Sequence, residues 1–384
     1  MWPNYSPACI RAVTGLLKKG GSLSAYRANP LFPSWTGPLE GSYAEKLERE
    51  IERRFKVKHA VAVNSGTAGL HTALVAAGIT SGEVITSPYT FSATVSAIVL
   101  SGATPVFADV DSHSFTITPS TVKGLVNKRT RCILPVDIFG GLAPFEGLDY
   151  DGIPIIRDSC QAVGAVRNGT YSGGDALAAA YSFNGGKQVP AGEAGALVTN
   201  DSKLAERARF FMNHGENFHQ REVGVNYRPN ELTCAVAYHG LMELGERNKR
   251  RQELAQHLTD SFYYSIFGKN FSVGFKSVMS KKFGGICFPA APGWDHVFYV
   301  YPFLIERNRE EFIQRMKRHG IPVGAGYITP PLHKYPAFRK YARGPLPVVE
   351  ELSSKTLCIL STLTPDRPLS YSRKVAQAMR ESLA

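Results

Sequence analysis

The sequence predicts an α/β protein: a large unit built on a mainly parallel sheet flanked by helices, followed by a smaller α+β unit. Three observations predict it. Between about residues 57 and 200, short β-rich runs alternate with helical segments, the pattern of a parallel sheet covered on both faces. A long helical stretch, roughly 231–267, follows. Beyond it the tail reads as a strand and several helices. With 384 residues, 43% apolar and 20% charged, the chain can bury a sizeable core and is globular rather than disordered. The division is placed at residue 245, with 1–245 holding the N-terminal segment and the large unit and 246–384 the smaller one.

Each element has a local reason. Ser42 followed by Glu45 forms a capping box that opens a helix over 43–57, and Ala44, Leu47, Ile51 and Phe55 recur on one face. His59-Ala60-Val61-Ala62-Val63 is a strand, and Ser65-Gly66-Thr67 leads from it into a helix over 68–77. A strand at 83–86 leads to a helix near 91–100 and a strand over 104–108. Gly102 and Pro105 break this apolar region, so it reads as a buried helix and a strand. Further strands are expected at 131–136, 153–157, 176–183 and 195–199. The stretch 231–267 carries an apolar stripe, Cys234, Ala237, Leu241 and Leu244, suited to core or subunit packing. In the tail a strand is expected over 297–305, a helix over 309–319 and helical segments near 347–357 and 370–382. Residues 268–292, rich in Gly, Lys and Phe, read as a variable loop or boundary.

Composition narrows the classes of function. The six cysteines are scattered with no Cys-x-x-Cys pair, which suggests neither a zinc site nor a disulfide framework and fits a cytoplasmic protein with reduced thiols. The first residues lack the basic-then-apolar pattern of a secretory signal, and no apolar run has the length of a membrane span. The net charge is +12, but the basic residues form short clusters such as Lys18-Lys19, Arg53-Arg54 and Lys249-Arg250-Arg251 with acidic neighbours. No nucleic-acid motif accompanies them. Neither nucleic acid nor membrane is therefore an expected partner, while a positive field suits anionic small substrates.

The chemistry starts from Lys187. It lies in Ser182-Phe183-Asn184-Gly185-Gly186-Lys187, just after a buried-looking strand. The two glycines are expected to bring the backbone close to a ligand and hold the amine over it, as a Schiff base to an aldehyde cofactor requires. Ser65-Gly66-Thr67, at a strand-to-helix junction, suits a phosphate. Asp158 ends an apolar strand, where a carboxylate can keep a pyridinium nitrogen protonated. Taken singly, these are also a plain N-cap, a turn-capping aspartate and a loop lysine. Their chain order, each at a strand end, points to one site at the C-terminal edge of the sheet.

Longer runs carry a resemblance. Val61-Ala62-Val63-Asn64-Ser65-Gly66-Thr67-Ala68, Ser87-Pro88-Tyr89-Thr90-Phe91-Ser92-Ala93-Thr94, Gly102-Ala103-Thr104-Pro105-Val106-Phe107-Ala108-Asp109 and Asp158-Ser159-Cys160-Gln161-Ala162-Val163-Gly164-Ala165 are such runs. So are the lysine segment 181–195, His214-Gly215, Asn226-Tyr227-Arg228 and Pro331-Leu332-His333. Together they resemble the DegT/DnrJ/EryC1/StrS family of pyridoxal-phosphate sugar aminotransferases, of fold type I. The resemblance implies that Lys187 forms the Schiff base and moves the proton, that Asp158 pairs with the pyridine nitrogen and that Gln161 contacts the ring hydroxyl. It implies that Phe91 stacks on the ring, that Gly66, Thr67 and Ser182 hold the phosphate, and that Asn226 reaches the phosphate from a second subunit of a homodimer. Arg228 is then the candidate clamp for the amino donor's carboxylate. His214 and His333 either approach the sugar or are packed structural histidines.

The chain departs from the family pattern at Arg157, usually acidic, at Asp137, often histidine, at Asn184-Gly185-Gly186, usually containing an aromatic residue, and at Ala194, commonly glycine. All four are expected to flank the pocket and to bear on the substrate. A family branch with histidine in place of the lysine dehydrates sugars, so Lys187 favours transamination. The implied function is ping-pong transfer of an amino group from glutamate or glutamine to a keto group of a nucleotide-linked sugar, in amino-sugar biosynthesis. A keto-inositol acceptor, or a cofactor-binding regulatory protein without turnover, are the alternatives.

Overall fold

The computed structural model describes residues 3–20, 22–26, 38–145, 152–215, 223–267, 282–283, 286–287, 294–305, 308–325, 328–361 and 364–383. Most of the expected boundary segment 268–292 lies outside the described residues.

Helix α1 spans Pro7–Lys19 and α2 spans Tyr43–Phe55. Ser42 caps α2 by accepting the Glu45 N–H at 3.1 Å. The return arm of the expected capping box reaches one residue further back, from the Gly41 N–H to Glu45 Oε2 at 2.7 Å. Ala44, Leu47, Ile51 and Phe55 are all buried, as their spacing predicts. Then follow β1 (His59–Val63), α3 (Gly66–Ala76), β2 (Glu83–Thr86), α4 (Ser92–Leu100), β3 (Thr104–Phe107), α5 (Pro119–Val122), β4 (Thr130–Leu134) and β5 (Ile156–Asp158). A small hairpin, β6 (Val166–Arg167) and β7 (Thr170–Tyr171), precedes β8 (Ala178–Ser182) and β9 (Gly195–Thr199).

The main sheet is mostly parallel. β3, β2 and β4 pair in parallel, as do β5 and β8. The bridges Ile133↔Ile155 and Val136↔Asp158 join the two groups in parallel. The strand order is therefore β1-β9-β8-β5-β4-β2-β3. β9 runs antiparallel to both neighbours, so β1 and β8 point the same way. Helices α2, α3, α6 (Ser202–Phe211) and α7 (Glu231–Met242) pack around a core of Leu47, Leu70, Leu74, Leu197, Leu204 and Leu241. Phe55 of α2 meets Tyr181 and Gly69 of α3 meets the adjacent Ala180, so α2 and α3 lie on opposite faces of β8.

The expected single helix over 231–267 is two helices that break at Glu243, α7 and α8 (Leu244–Phe267). The cause is divided allegiance. Cys234, Ala237 and Leu241 join the core of the main sheet, whereas Leu254, Leu258 and Phe262 join a separate cluster. That cluster is completed by residues of β13 (Tyr301–Ile305), β14 (Leu357–Leu360) and the helices Arg309–Arg318 and Leu369–Leu383. A second antiparallel sheet has the order β10-β11-β13-β14, with β10 at Lys282–Phe283 and β11 at Ile286–Cys287; β12 (Trp294–Asp295) pairs with β6. Among the described residues no helix is long and apolar enough to cross a membrane.

Candidate active site

Three strands end at one edge of the main sheet, and each delivers a piece of the site. β1 ends at Val63 and β8 at Ser182, and both residues pair with Gly195. β5, parallel to β8, ends at Asp158. At Gly195 the backbone runs against the start of α3: a Cβ there would lie 2.6 Å from the Ser65 carbonyl carbon. Ser65 caps α3 by accepting the Ala68 N–H at 3.1 Å, and the first intrahelical bond runs from the Gly69 N–H to Ser65 O. The N–H groups of Gly66 and Thr67 precede that bond and sit at the positive end of the helix. Gly66 has no room for a side chain: a Cβ would lie 2.6 Å from Cys160 Sγ and 2.9 Å from Ser182 Cβ. Ser182 Oγ accepts the Asn184 N–H at 3.3 Å, which leaves its own hydrogen to donate. These donors fit a phosphate.

The Asp158 carboxylate is 6% exposed and held at both oxygens. Oδ2 accepts the Thr94 hydroxyl at 2.6 Å and Oδ1 accepts the Cys160 N–H at 3.2 Å. Thr94 Oγ1 lies 2.8 Å from Thr90 Oγ1, four residues earlier. The Asp158 backbone is tied to the next strand through Pro135 O and the Asp137 N–H. An acceptor-only carboxylate fixed in this way suits a protonated ring nitrogen. Phe91, the N-cap of the helix that carries Thr94, is 57% exposed. Gln161 Oε1 accepts the Phe139 N–H at 3.1 Å. A backbone N–H can only donate, so the amide turns its NH2 end the other way, as a donor for a ring oxygen.

Lys187 sits in a tight turn. Its N–H donates to Asn184 O, the Gly185 N–H to Gly192 O and the Gly186 N–H to Asn184 Oδ1. The neighbouring Gln188 is fully buried and donates to Gln161 O at 2.6 Å. The protein's own backbone and packing do not demand the two glycines. Neither Gly185 nor Gly186 has a positive φ, and a Cβ meets nothing within 4 Å at Gly185 and only ordinary contacts at Gly186. Close approach between parts of the protein itself occurs at Gly66 and Gly195. Burial pushes the Cys160 thiol well above its ordinary value, Asp158 pushes the same way and the Lys187 ammonium pulls back.

Other expected residues have partners of their own. The Arg228 guanidinium is engaged within its own hairpin, by Asn226 Oδ1 at 3.1 Å, Asn213 Oδ1 at 3.0 Å and His214 Nε2 at 3.1 Å. Asn226 is exposed, and the adjoining Tyr227 carbonyl accepts the Asn64 N–H at the end of β1. His333 is buried and contacts Glu350 at 3.3 Å; burial pushes its pKa down and Glu350 pulls it back. Two of the departures do not flank a pocket. Side chains alternate along β5, so Arg157 leaves on the face opposite Asp158. It is fully buried against Asp137 Oδ1 at 3.0 Å and Asp175 Oδ2 at 2.6 Å, and Asp137 is fully buried too. They form an internal ion pair, out of a substrate's reach. Ala194 is also buried, in the main core.

Sequence reasoning left Thr94 without a role. Its signal was Thr90 and Thr94 at a spacing of four, a polar pair leading into an otherwise apolar helix. Gln188 and Gly195 carried no distinctive signal.

Comparison with known proteins bears on the family and the fold. The model of the DegT/DnrJ/EryC1/StrS aminotransferase family matches residues 33–367. A dTDP-3-amino-3,4,6-trideoxy-alpha-D-glucose transaminase of Streptomyces venezuelae is 32% identical over 89% of this chain and 88% of its own. A pleiotropic regulatory protein of Geobacillus stearothermophilus is 32% identical over 83% of this chain and 84% of its own. Among solved structures, S. venezuelae DesV in complex with a ketimine intermediate superimposes with a TM-score of 0.81 at 29% identity, covering 98% of this chain and 94% of that one.

Proposed function

Because this chain belongs to the DegT/DnrJ/EryC1/StrS aminotransferase family, we propose that it moves an amino group from glutamate or glutamine to a keto group of a nucleotide-linked sugar. It is a pyridoxal-phosphate-dependent aminotransferase of fold type I. One observation carries the assignment of its site: Lys187, Asp158 and a helix start with no room for a side chain at Gly66 converge on one sheet edge.

Pyridoxal phosphate, when bound, supplies an electron sink for the carbon that loses or gains a proton. Gly66, Thr67 and Ser182 hold its phosphate, Asp158 its ring nitrogen and Gln161 its ring oxygen, while Phe91 covers a ring face. Lys187 Nζ, when free and neutral, takes the proton from the donor's α-carbon as general base, and in the second half-reaction it delivers a proton to the acceptor carbon that gains the amine. The donor would leave as its keto acid before the acceptor binds, with the amino group kept on the cofactor in between, which gives ping-pong kinetics. Arg228 clamps the donor's carboxylate with its planar fork. Asn226, which is exposed, and the neighbouring Arg228 serve the site of a second copy, so that the working unit is a homodimer in the cytoplasm. His214 accompanies Arg228 toward the sugar, and His333 supports the pocket by packing. The chain divides near residue 245 into a cofactor unit and a smaller unit.

The nucleotide-linked acceptor is supported by the S. venezuelae relative, whose name specifies a dTDP-sugar, and agrees with the net charge of +12. This favours it over a keto-inositol. The G. stearothermophilus relative motivates a second reading, cofactor binding without turnover. Lys187 and Arg228 favour turnover, because a pure binder needs no donor clamp. The test is a half-reaction. Glutamate or glutamine added to the purified holoprotein converts the cofactor to its amine form and releases the matching keto acid, and a panel of nucleotide keto-sugars restores the aldehyde form. Failure of every amino acid to convert the cofactor would sink the aminotransferase reading in favour of binding alone.

A further inference from the structure

The amine of Lys187 lies over an aromatic ring from a distant part of the chain: Nζ is 4.1 Å from the centroid of Tyr299. Tyr299 belongs to the segment 296–300, which leads into β13, and several contacts fix where that segment lies. The Val297 N–H donates to Gly140 O at 2.9 Å and the Val300 N–H to Phe139 O at 3.4 Å. Gly140 has φ +115°, and a Cβ there would lie 2.8 Å from the amide nitrogens of both Phe298 and Tyr299, so only glycine admits the segment. From the other side Arg251, 2% exposed, donates to Phe298 O at 3.3 Å and Tyr299 O at 3.2 Å. Burial pushes that guanidinium down to about 10.

These contacts close a circuit. Phe139 donates to Gln161, Gln161 O accepts from Gln188, and Gln188 follows Lys187 in the chain. The ring and the amine are thus positioned from two directions through one set of hydrogen bonds.

We propose that Tyr299 is a positioning residue for Lys187: its ring face holds the lysine ammonium in place whenever the amine is not covalently engaged. The chemistry is the attraction of a cation to the negative face of an aromatic ring. The inference rests on Lys187 being the Schiff-base lysine, and its test separates the two claims. In cofactor-free protein at pH 7.5, limiting acetic anhydride is applied, and acetylation of Lys187 is read by peptide mass spectrometry against the exposed Lys203. Tyr299→Phe keeps the ring and is expected to match the parent. Tyr299→Leu, with Tyr299→Met as a second ring-free variant, frees the amine for attack and raises the Lys187 rate about two- to fivefold. At pH 11, where a lysine amine is mostly uncharged, that ratio is expected to fall towards one. A ratio unchanged between the two pH values means mere shielding and overturns the proposal, as does parent-like reactivity of both ring-free variants. Borohydride reduction of the holoprotein, with Lys187→Ala as control, tests the Schiff-base assignment independently.

Discussion

A single methyl group at Gly66 is enough to close the phosphate seat. The missing Cβ would overlap Cys160 Sγ, in the turn just after β5, and Ser182 Cβ, at the end of β8. Gly66→Ala is therefore expected to weaken pyridoxal-phosphate binding by about tenfold or more, read by titrating cofactor-free protein in fluorescence. Thr94 gives a complementary case. Its hydroxyl is fully buried and donates to the Asp158 carboxylate. Thr94→Val keeps the shape and leaves a buried carboxylate one donor short, a cost of about 1–3 kcal/mol. Cofactor affinity is expected to fall and Thr94→Ser to restore it; equal affinity in all three proteins would show that Thr94 is packing only. Asp158 and Lys187 were legible in the sequence because each stands at the end of an apolar run. The role of Thr94 was not, since a hydroxyl within a helix reads the same whether it faces a carboxylate or its own backbone.

At the scale of elements, β5 shows how one strand separates two tasks. Asp158 faces the site and Arg157 the interior, where it meets Asp137 and Asp175. Burial pushes the Asp137 carboxyl up, and Arg157, Ser159 and the Ala143 N–H pull it back only in part. Desolvation thus outweighs pairing, as is usual for a buried ion pair. Arg157→Met alone strands two carboxylates and is expected to cost about 3–5 kcal/mol in urea unfolding. Adding Asp137→Asn is expected to recover at least half of that loss, and a strictly additive pair would argue against coupling. The segment that carries Tyr299 has a pH signature. His296 Nδ1 accepts the Phe298 N–H at 3.0 Å, and burial pushes its pKa from 6.5 down to about 3. Between those values the unfolded chain binds a proton that the folded chain refuses, so the stability present above 6.5 is lost as the pH falls towards 3. The loss from this residue is expected to be about 1 kcal/mol between about pH 6.5 and 5.5, and to vanish in His296→Gln. Denaturant titrations at both pH values measure it.

At the scale of the whole molecule, the alternation of strands and helices was legible because parallel strands buried on both faces are nearly continuous apolar runs. The antiparallel course of β9 was not, because its direction depends on pairing with β1 and β8, two strands remote from each other in sequence. The same limit explains Tyr299, which meets Lys187 across more than a hundred residues, and the Arg157–Asp137 pair, in which each member looked like an isolated departure. Assembly is the largest case. Arg228 bonds Asn226, Asn213 and His214 of its own chain, and none of these bonds joins it to the Lys187 turn among the described hydrogen bonds. If Arg228 and Asn226 complete a partner's site, two defects on different chains can be pooled. Lys187→Ala and Arg228→Ala are each expected to be inactive in the half-reaction. When equal amounts are mixed under conditions that exchange subunits, about half the dimers carry one of each chain, and each of these has one site with both residues intact. The mixture is expected to regain about a quarter of the parent activity per subunit. No recovery, with exchange verified by mass tagging, would mean that Arg228 serves its own chain and that each subunit works alone.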